Sequence, residues 1–361
     1  MAERLRSWTT RGHAPAPGRR AFLLLLAGGV ACSRSKSDIS LNGVGATFPY
    51  PLYSKWIAEY HRLRPEVRIN YQSIGSGGGV RQIVAGTVDF GATDVPMLED
   101  EARGAPGTLL HIPMAVGSVV VCYRLEGVRV VLRLTPELLA SIFLGEITRW
   151  NAPELKAHNP GIVLPDLPIV VVCRSDGSGT TAIFTELLAQ SSPAWRERVG
   201  AGKLVRWPAG IGAKGNEGVA GQLQSTPGAI GYTELAYATQ NRLSRVAIRN
   251  AAGAFVLPAP NAATAAAETV PMPDALHVSL ASAPSAEAYP LAAYTYLLVY
   301  RDARDAEKGQ ALAEFLWWAL HEGQRFVIDL DYAPLPKNVV ARAEAVLRTL
   351  RAGGKAILAE R

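Results

Sequence analysis

Ile169-Val170-Val171-Val172-Cys173-Arg174-Ser175-Asp176-Gly177-Ser178-Gly179-Thr180-Thr181 is the stretch on which the fold turns. Residues 169–173 are a run dominated by β-branched side chains with no polar alternation, the pattern of a strand buried on both faces. Arg174 and Asp176 interrupt it, a Gly-Ser-Gly-Thr turn follows, and apolar residues then recur at helical spacing over Thr180–Ala189. A doubly buried strand, a tight turn and a helix form one unit of an α/β protein with mainly parallel sheets.

The same arrangement occurs twice upstream. Gly43-Val44-Gly45-Ala46-Thr47-Phe48-Pro49 lies between strand-like Ile39–Leu41 and a helical pattern over Leu52–Tyr60. Gly75-Ser76-Gly77-Gly78-Gly79 reads as a loop between strand-like Val67–Tyr71 and a helix opening at Val80–Ala85. Each places glycine and hydroxyl residues where a helix begins. Glycine admits close approach of a ligand to the backbone, and free N–H groups at a helix start favour an anion. Ser and Thr are also ordinary N-caps, so one such turn says little; three of them point to an anion site. None is a Walker A loop, which needs Lys after its second glycine.

Elsewhere, Val88–Ala92, Ser118–Cys122 and Tyr294–Tyr300 read as buried strands, and Ala306–His321 as a helix. Trp317 and Trp318 belong to the apolar face of that helix and read as core. The Ala-rich Asn261–Glu268 reads as a surface helix or loop. Asp94 ends the strand pattern that begins at Val88, as Arg174 ends that of Ile169–Cys173. Ligands of open α/β sheets gather at such strand ends. An arginine, several hydroxyls and one carboxylate make an oxyanion site with an acceptor in it, which suits an anion that carries a proton.

The chain has 361 residues, 37 Lys+Arg and 31 Asp+Glu, a formal charge of +6. This length suggests about two domains. Residues 1–31 hold Arg4, Arg6, Arg11, Arg19 and Arg20 against Glu3, so four of the six charges lie there. The nearly neutral remainder argues against a nucleic-acid binder, which needs a basic face. Arg19 and Arg20 precede the apolar run Ala21–Ala31, too short for a membrane-spanning helix. Basic, apolar and small-residue segments in that order describe an export signal. Gly29-Val30-Ala31-Cys32-Ser33 resembles a bacterial lipobox with Cys32 as the lipidated residue, although Gly29 stands where Leu is usual. A cleaved soluble signal peptide is the alternative. Gly18–Leu23 also resembles a twin-arginine signal. Residues 32–38 read as a tether. Cys122 and Cys173 lie on buried strand patterns and are read as free thiols, a disulfide being the alternative in an oxidising compartment. No H-x-x-x-H pair occurs and no metal site is expected.

These residues resemble the periplasmic phosphate-binding proteins of the high-affinity phosphate ABC transporter. The similarity runs from about Ile39 to about Val346. It rests on the segments at 43–49, 74–80, 88–94, 144–150 (Leu-Gly-Glu-Ile-Thr-Arg-Trp), 174–181 and 227–232 (Pro-Gly-Ala-Ile-Gly-Tyr). The resemblance implies a two-lobed type II periplasmic binding protein. Each lobe would be a central, mostly parallel sheet flanked by helices, with a hinge of two crossing strands. It puts residues 39–115 and 291–361 in one lobe and 116–290 in the other, with crossings near Ala115 and Leu291.

By resemblance, phosphate is held by Thr47, Phe48, Ser76, Asp94, Arg174, Ser178, Gly179 and Thr180. Thr47, Ser76, Ser178 and Thr180 supply hydroxyls, while Phe48 and Gly179 supply main-chain N–H groups. Asp94 accepts the proton of phosphate, and Asp176 pairs with Arg174. Gly77 stands where some relatives carry a second serine. The resemblance further implies a monomeric receptor in the periplasm or at the cell-envelope surface. It would deliver inorganic phosphate to membrane permease subunits, without catalysis, cofactor or nucleic acid, and be anchored through Cys32. The competing readings are a phosphatase-type hydrolase and a receptor for arsenate, phosphonate or another oxyanion. Neither Ser76 nor Ser178 fits G-x-S-x-G.

Overall fold

The structure, a computed structural model, describes residues 38–128 and 130–358. The segment read as an export signal, Cys32, and the segment read as a tether up to residue 37 lie outside the described residues. The first elements are β1 (Ile39–Gly45), α1 (Tyr50–Leu63), β2 (Val67–Ser73), α2 (Ser76–Val84), β3 (Phe90–Thr93), α3 (Glu99–Ala102) and β4 (Leu109–Tyr123). There follow β5 (Leu132–Leu134), α4 (Pro136–Phe143), α5 (Pro153–His158), β6 (Val170–Arg174), α6 (Gly179–Ser191), α7 (Pro193–Arg198), β7 (Ile211–Ala213), α8 (Gly215–Ser225), β8 (Ala229–Glu234) and α9 (Leu235–Gln240). The chain ends with β9 (Ser244–Arg249), β10 (Phe255–Val256), α10 (Pro260–Thr269), β11 (Ala292–Tyr300), β12 (Asp302–Ala303), α11 (Ala306–Leu320), α12 (Lys337–Leu347), β13 (Arg351–Ala352) and β14 (Lys355–Ala356).

Among the described residues eleven strands join in one sheet, whose main path is β2-β1-β3-β11-β4-β8-β6-β7. One end, β2-β1-β3, is parallel, as is β8-β6-β7 at the other. Between them β11 and β4 run antiparallel to each other and to their outer neighbours β3 and β8. Residues 109–118 of β4 pair with β11 and residues 119–123 with β8. A single long strand therefore passes from one half of the sheet to the other. Its residues from Ile112 to Tyr123 are all buried, which is why the sequence there is a run of Val, Met, Ala and Cys without alternation. β9 leaves the end of β4 and carries β5 and β10.

The structure redraws two segments. The glycine run at 77–79 is helical, because α2 opens at Ser76 rather than at Val80. Glycine is needed there for closeness: a Cβ on Gly79 would lie 2.5 Å from the Ala92 carbonyl oxygen and 2.7 Å from Gly45 Cα. Residues 260–269 form a helix, α10, and not a loop, with Asn261, Glu268 and Thr269 exposed on its outer face. Ala262, Ala263, Ala266 and Ala267 make a buried stripe against β4 and β11. Their small size lets the helix lie close to the sheet. Trp318 is buried in the core, as read, and Trp317 is packed against it. No helix among the described residues is long and apolar enough to cross a membrane.

Candidate functional site

The carboxyl ends of the two parallel half-sheets point at each other. β1 ends before Thr47 and Phe48, β3 before Asp94, and β2 before Ser76 at the start of α2. From the other half, β6 ends at Arg174, and the turn after it opens α6 at Gly179. β7 ends before Gly215 and Asn216, which open α8. The helix starts thus converge with their unpaired N–H groups on one region. Thr47, Phe48, Ser76, Asp94, Arg174, Ser178, Gly179 and Thr180 are all brought together there, and all are buried.

Arg174 is held in place by Asp176. Its Nε and one terminal nitrogen donate to the two carboxylate oxygens at 2.7 and 2.6 Å, a bidentate pair. Its other terminal nitrogen reaches Thr180 Oγ1 at 3.5 Å. Burial works to raise the Asp176 carboxyl, but the guanidinium and the Gly215 N–H outweigh it and hold Asp176 below the usual carboxylate range. The pair fixes the buried guanidinium with one edge turned toward the cluster.

Asp94 stands opposite. Its Oδ2 accepts from Ser76 Oγ at 3.1 Å and its Oδ1 from Thr295 Oγ1 at 2.9 Å. The Gly179 N–H, from the other half of the fold, donates to the same Ser76 hydroxyl at 3.1 Å. Burial is the largest influence on Asp94 and pushes its carboxyl up to about 7. The hydrogen bonds from Thr295 and Ser76 and the charges of Arg174 and Lys203 act the other way. A carboxyl so placed holds or accepts a proton near neutrality. Gly179 has no room for a side chain: a Cβ there would lie 2.5 Å from Asp94 Oδ2 and 2.6 Å from Ser76 Oγ.

Other contacts involve residues that sequence reasoning missed. Asn216 donates from Nδ2 to Thr47 Oγ1 at 2.7 Å and to Thr180 Oγ1 at 3.3 Å, so it ties the two halves together. Its Oδ1 accepts from Thr233 Oγ1 and from the Glu234 N–H. Tyr237 OH donates to the Thr47 carbonyl at 2.7 Å, and Tyr332 OH to the Phe48 carbonyl at 2.6 Å. Ser178 Oγ caps α6 by accepting the Thr181 N–H at 3.1 Å, which leaves its own proton for another acceptor. Gly215, in a left-handed conformation at φ 73°, opens a fourth strand-to-helix glycine turn, which lacks the hydroxyl residue of those at 43–49, 75–79 and 176–181. That glycine was the available signal for Asn216.

Asp94 also lines a mostly apolar cavity of about 500 Å³ that reaches Leu98, Ile183, Leu280 and Tyr294. Lys203, on its wall, is paired with Glu101 at 2.6 Å. Cys122 and Cys173 are free and buried. β8 lies between their strands, which puts them about 10 Å apart, too far for a disulfide. Among the described residues no group of acidic, His or Cys side chains could hold a metal ion.

Comparison with known proteins bears on the family and the fold. A PBP superfamily domain matches residues 27–322. The phosphate-binding protein PstS of Xylella fastidiosa (strain 9a5c) is 43% identical over 311 residues, 85% of each chain. That of Pasteurella multocida (strain Pm70) is 40% identical over 334 residues, covering 92% of this chain and 96% of the relative. Among solved structures, a high affinity periplasmic phosphate-binding protein bound with phosphate at pH 8.5 superposes with a TM-score of 0.67 at 22% identity, over 85% of this chain and 93% of the other. A phosphate-binding protein from Stenotrophomonas maltophilia gives 0.65 at 18% identity, with the same coverage. At those identities the structures bear on the fold alone.

Proposed function

The chain belongs to the PBP superfamily and, within it, to the PstS phosphate-binding proteins, and on that premise we propose how its buried cluster performs phosphate reception. The protein binds inorganic phosphate between the two half-sheets and delivers it to the permease subunits of an ABC importer. The observation that carries this reading is a buried carboxyl among donors. Arg174, the α6 N-terminus and the hydroxyls of Thr47, Ser76, Ser178 and Thr180 attract an oxyanion, while Asp94 in its ionised form can only accept a proton from it. Phosphate at neutral pH brings that proton. Sulfate does not, so it would set its lone pairs and charge against those of Asp94. Charge-assisted hydrogen bonds contribute about 1.5–3 kcal/mol each. A handful, less the cost of ordering, reaches the roughly −8 kcal/mol of a micromolar complex.

The lobe assignment is part of the proposal: residues 39–115 and 291–361 in one lobe, 116–290 in the other. It is supported by β4, whose pairing passes from β11 to β8 at residues 118–119, and by the return of the chain to the first half-sheet at β11. The contacts of Ser76 with Gly179 and of Asn216 with Thr47 would then span the cleft, so an anion drawing on both sides favours closure. The protein works outside the cytoplasm as a monomer, held to the membrane by a lipid on Cys32. It is a receptor and not a hydrolase, since Ser76 faces the carboxyl of Asp94 and not an imidazole. Arsenate has the shape and proton of phosphate, and the same cluster would accept it. Titration calorimetry with phosphate, sulfate, arsenate and a phosphonate, beside an assay for release of phosphate from a phosphomonoester, tests the reading. Phosphate binding without turnover supports it; turnover, or equal binding of sulfate, overturns it.

A further inference from the structure

Glu234 ends β8 in full burial, and the sequence pattern assigns it nothing. Its Oε2 accepts the Ala236 N–H at 2.8 Å and lies 3.3 Å from the Tyr332 hydroxyl. Its Oε1 is buried with no partner. A tyrosine hydroxyl has one proton to give. That of Tyr332 goes to the Phe48 carbonyl oxygen, 2.6 Å away, which can only accept. With that proton engaged at the shorter contact, the 3.3 Å contact between Tyr332 and Glu234 is best filled by a proton from the carboxyl. A hydroxyl oxygen at Oε2 satisfies both of its contacts, accepting from Ala236 and donating to Tyr332. A carboxylate oxygen would meet a lone pair at the second contact, and it would leave half of its charge on an unpaired buried Oε1, a costly burial.

The surroundings agree. Val119 lies opposite Glu234 across the sheet, and Asn216 Oδ1 takes the Glu234 main-chain N–H. The titratable groups that face the carboxyl are Asp331, Tyr332 and Tyr237, none of them a cation. Burial, the largest influence, pushes the carboxyl well above the usual range; the Ala236 and Leu235 N–H groups and the Tyr332 hydroxyl act the other way, and the nearby Asp331 adds to the rise.

We infer that Glu234 is a neutral carboxylic acid whose proton completes a chain from Glu234 through Tyr332 to the Phe48 carbonyl, fixing the peptide beside the anion cluster. Glu234 touches no anion and is a positioning residue. The chain joins the end of β8 to the end of β1, so its proton links the two half-sheets at the site. The role of Phe48 rests on the phosphate reading above; the protonation of Glu234 does not.

Infrared spectroscopy of the full chain tests the proton directly, through the carbonyl stretch of a protonated carboxylic acid at pH 8. The band should be present in the wild type and in Asp94→Asn, shifted in Tyr332→Phe, and absent from Glu234→Gln. A wild type without the band, or a band undiminished by Glu234→Gln, overturns the inference. The measurement needs no phosphate, so it stands or falls apart from the phosphate reading. For the positioning role, Glu234→Gln and Tyr332→Phe should each weaken phosphate binding by about tenfold, the loss of one buried hydrogen bond. The double variant should lose little more than either single one. Two losses that simply multiply would overturn the chain.

Discussion

Replacing Asp94 by Asn tests the proton-sensing role. The ordinary carboxyl value, 3.8, is the reference for an Asp94 that an open cleft would expose to water, against about 7 in its buried place. A closed sulfate complex must then take a proton from water onto Asp94, because sulfate supplies none. At pH 7.5 this lies roughly three to four units above the ordinary value, a cost of about 5 kcal/mol at 1.36 kcal/mol per unit. Sulfate should therefore bind the wild type about a thousandfold or more worse than its other contacts allow. The penalty should fall tenfold for each unit that pH drops toward 3.8, then level off.

The sign is that of an acid raised on closure: protonation favours the closed form fully below 3.8, and the benefit is lost as pH rises through about 7. In Asp94→Asn an amide faces the anion at every pH. Sulfate should become a competitor with no such pH slope. Phosphate should lose one charge-assisted bond of about 1.5–3 kcal/mol, roughly 10- to 150-fold in affinity. Competition calorimetry between pH 5 and 8 reads both effects. A folded variant that still ignores sulfate, or a wild type whose sulfate affinity is flat with pH, would refute the reasoning.

Gly179→Ala should weaken phosphate binding about 10- to 100-fold with little change in thermal midpoint, because the new Cβ must displace Asp94 or Ser76 to admit closure; unchanged affinity would show that the α6 start and Asp94 do not meet. Asn216→Ala strands the buried Glu234 N–H and frees Thr47 from Thr180, so it should lower the melting temperature by the equivalent of about 1–3 kcal/mol and also weaken phosphate binding at least tenfold. Asp176→Asn leaves the Arg174 charge without its partner, worth about 3–5 kcal/mol in buried pairs. The loss seen by thermal melting should shrink when phosphate is added, since the anion supplies a counter-charge; an equal loss with and without phosphate speaks against contact between Arg174 and the anion.

What could be read from the sequence was what local pattern encodes. The run at 169–173 and the turn after it give β6 and α6 almost to the residue, because burial on both faces removes alternation and Ser178 is a capping residue. Arg174, Asp94 and the hydroxyls lie next to such strand ends and could be found there. Thr295 could not. It sits mid-strand in β11, and the register shift between Thr295 and Tyr296 accompanies its contact with Asp94. Glu234 and Tyr332 meet only because β8 and the segment before α12 come together in three dimensions. The Gly77–Gly79 run reads as a loop by composition but is a helix, because its smallness serves packing, of Gly77 against Gly177, Gly78 against Ile74 and Gly79 against Gly45 and Ala92, and not backbone freedom.

The most direct test of the account is calorimetric titration of the phosphate-stripped wild-type protein with phosphate and then sulfate at pH 7.5. Phosphate should bind one to one at micromolar Kd or tighter, and sulfate at millimolar concentration should neither give heat nor displace it. Binding of both anions with similar affinity would contradict the claim that Asp94 selects for an anion bearing a proton.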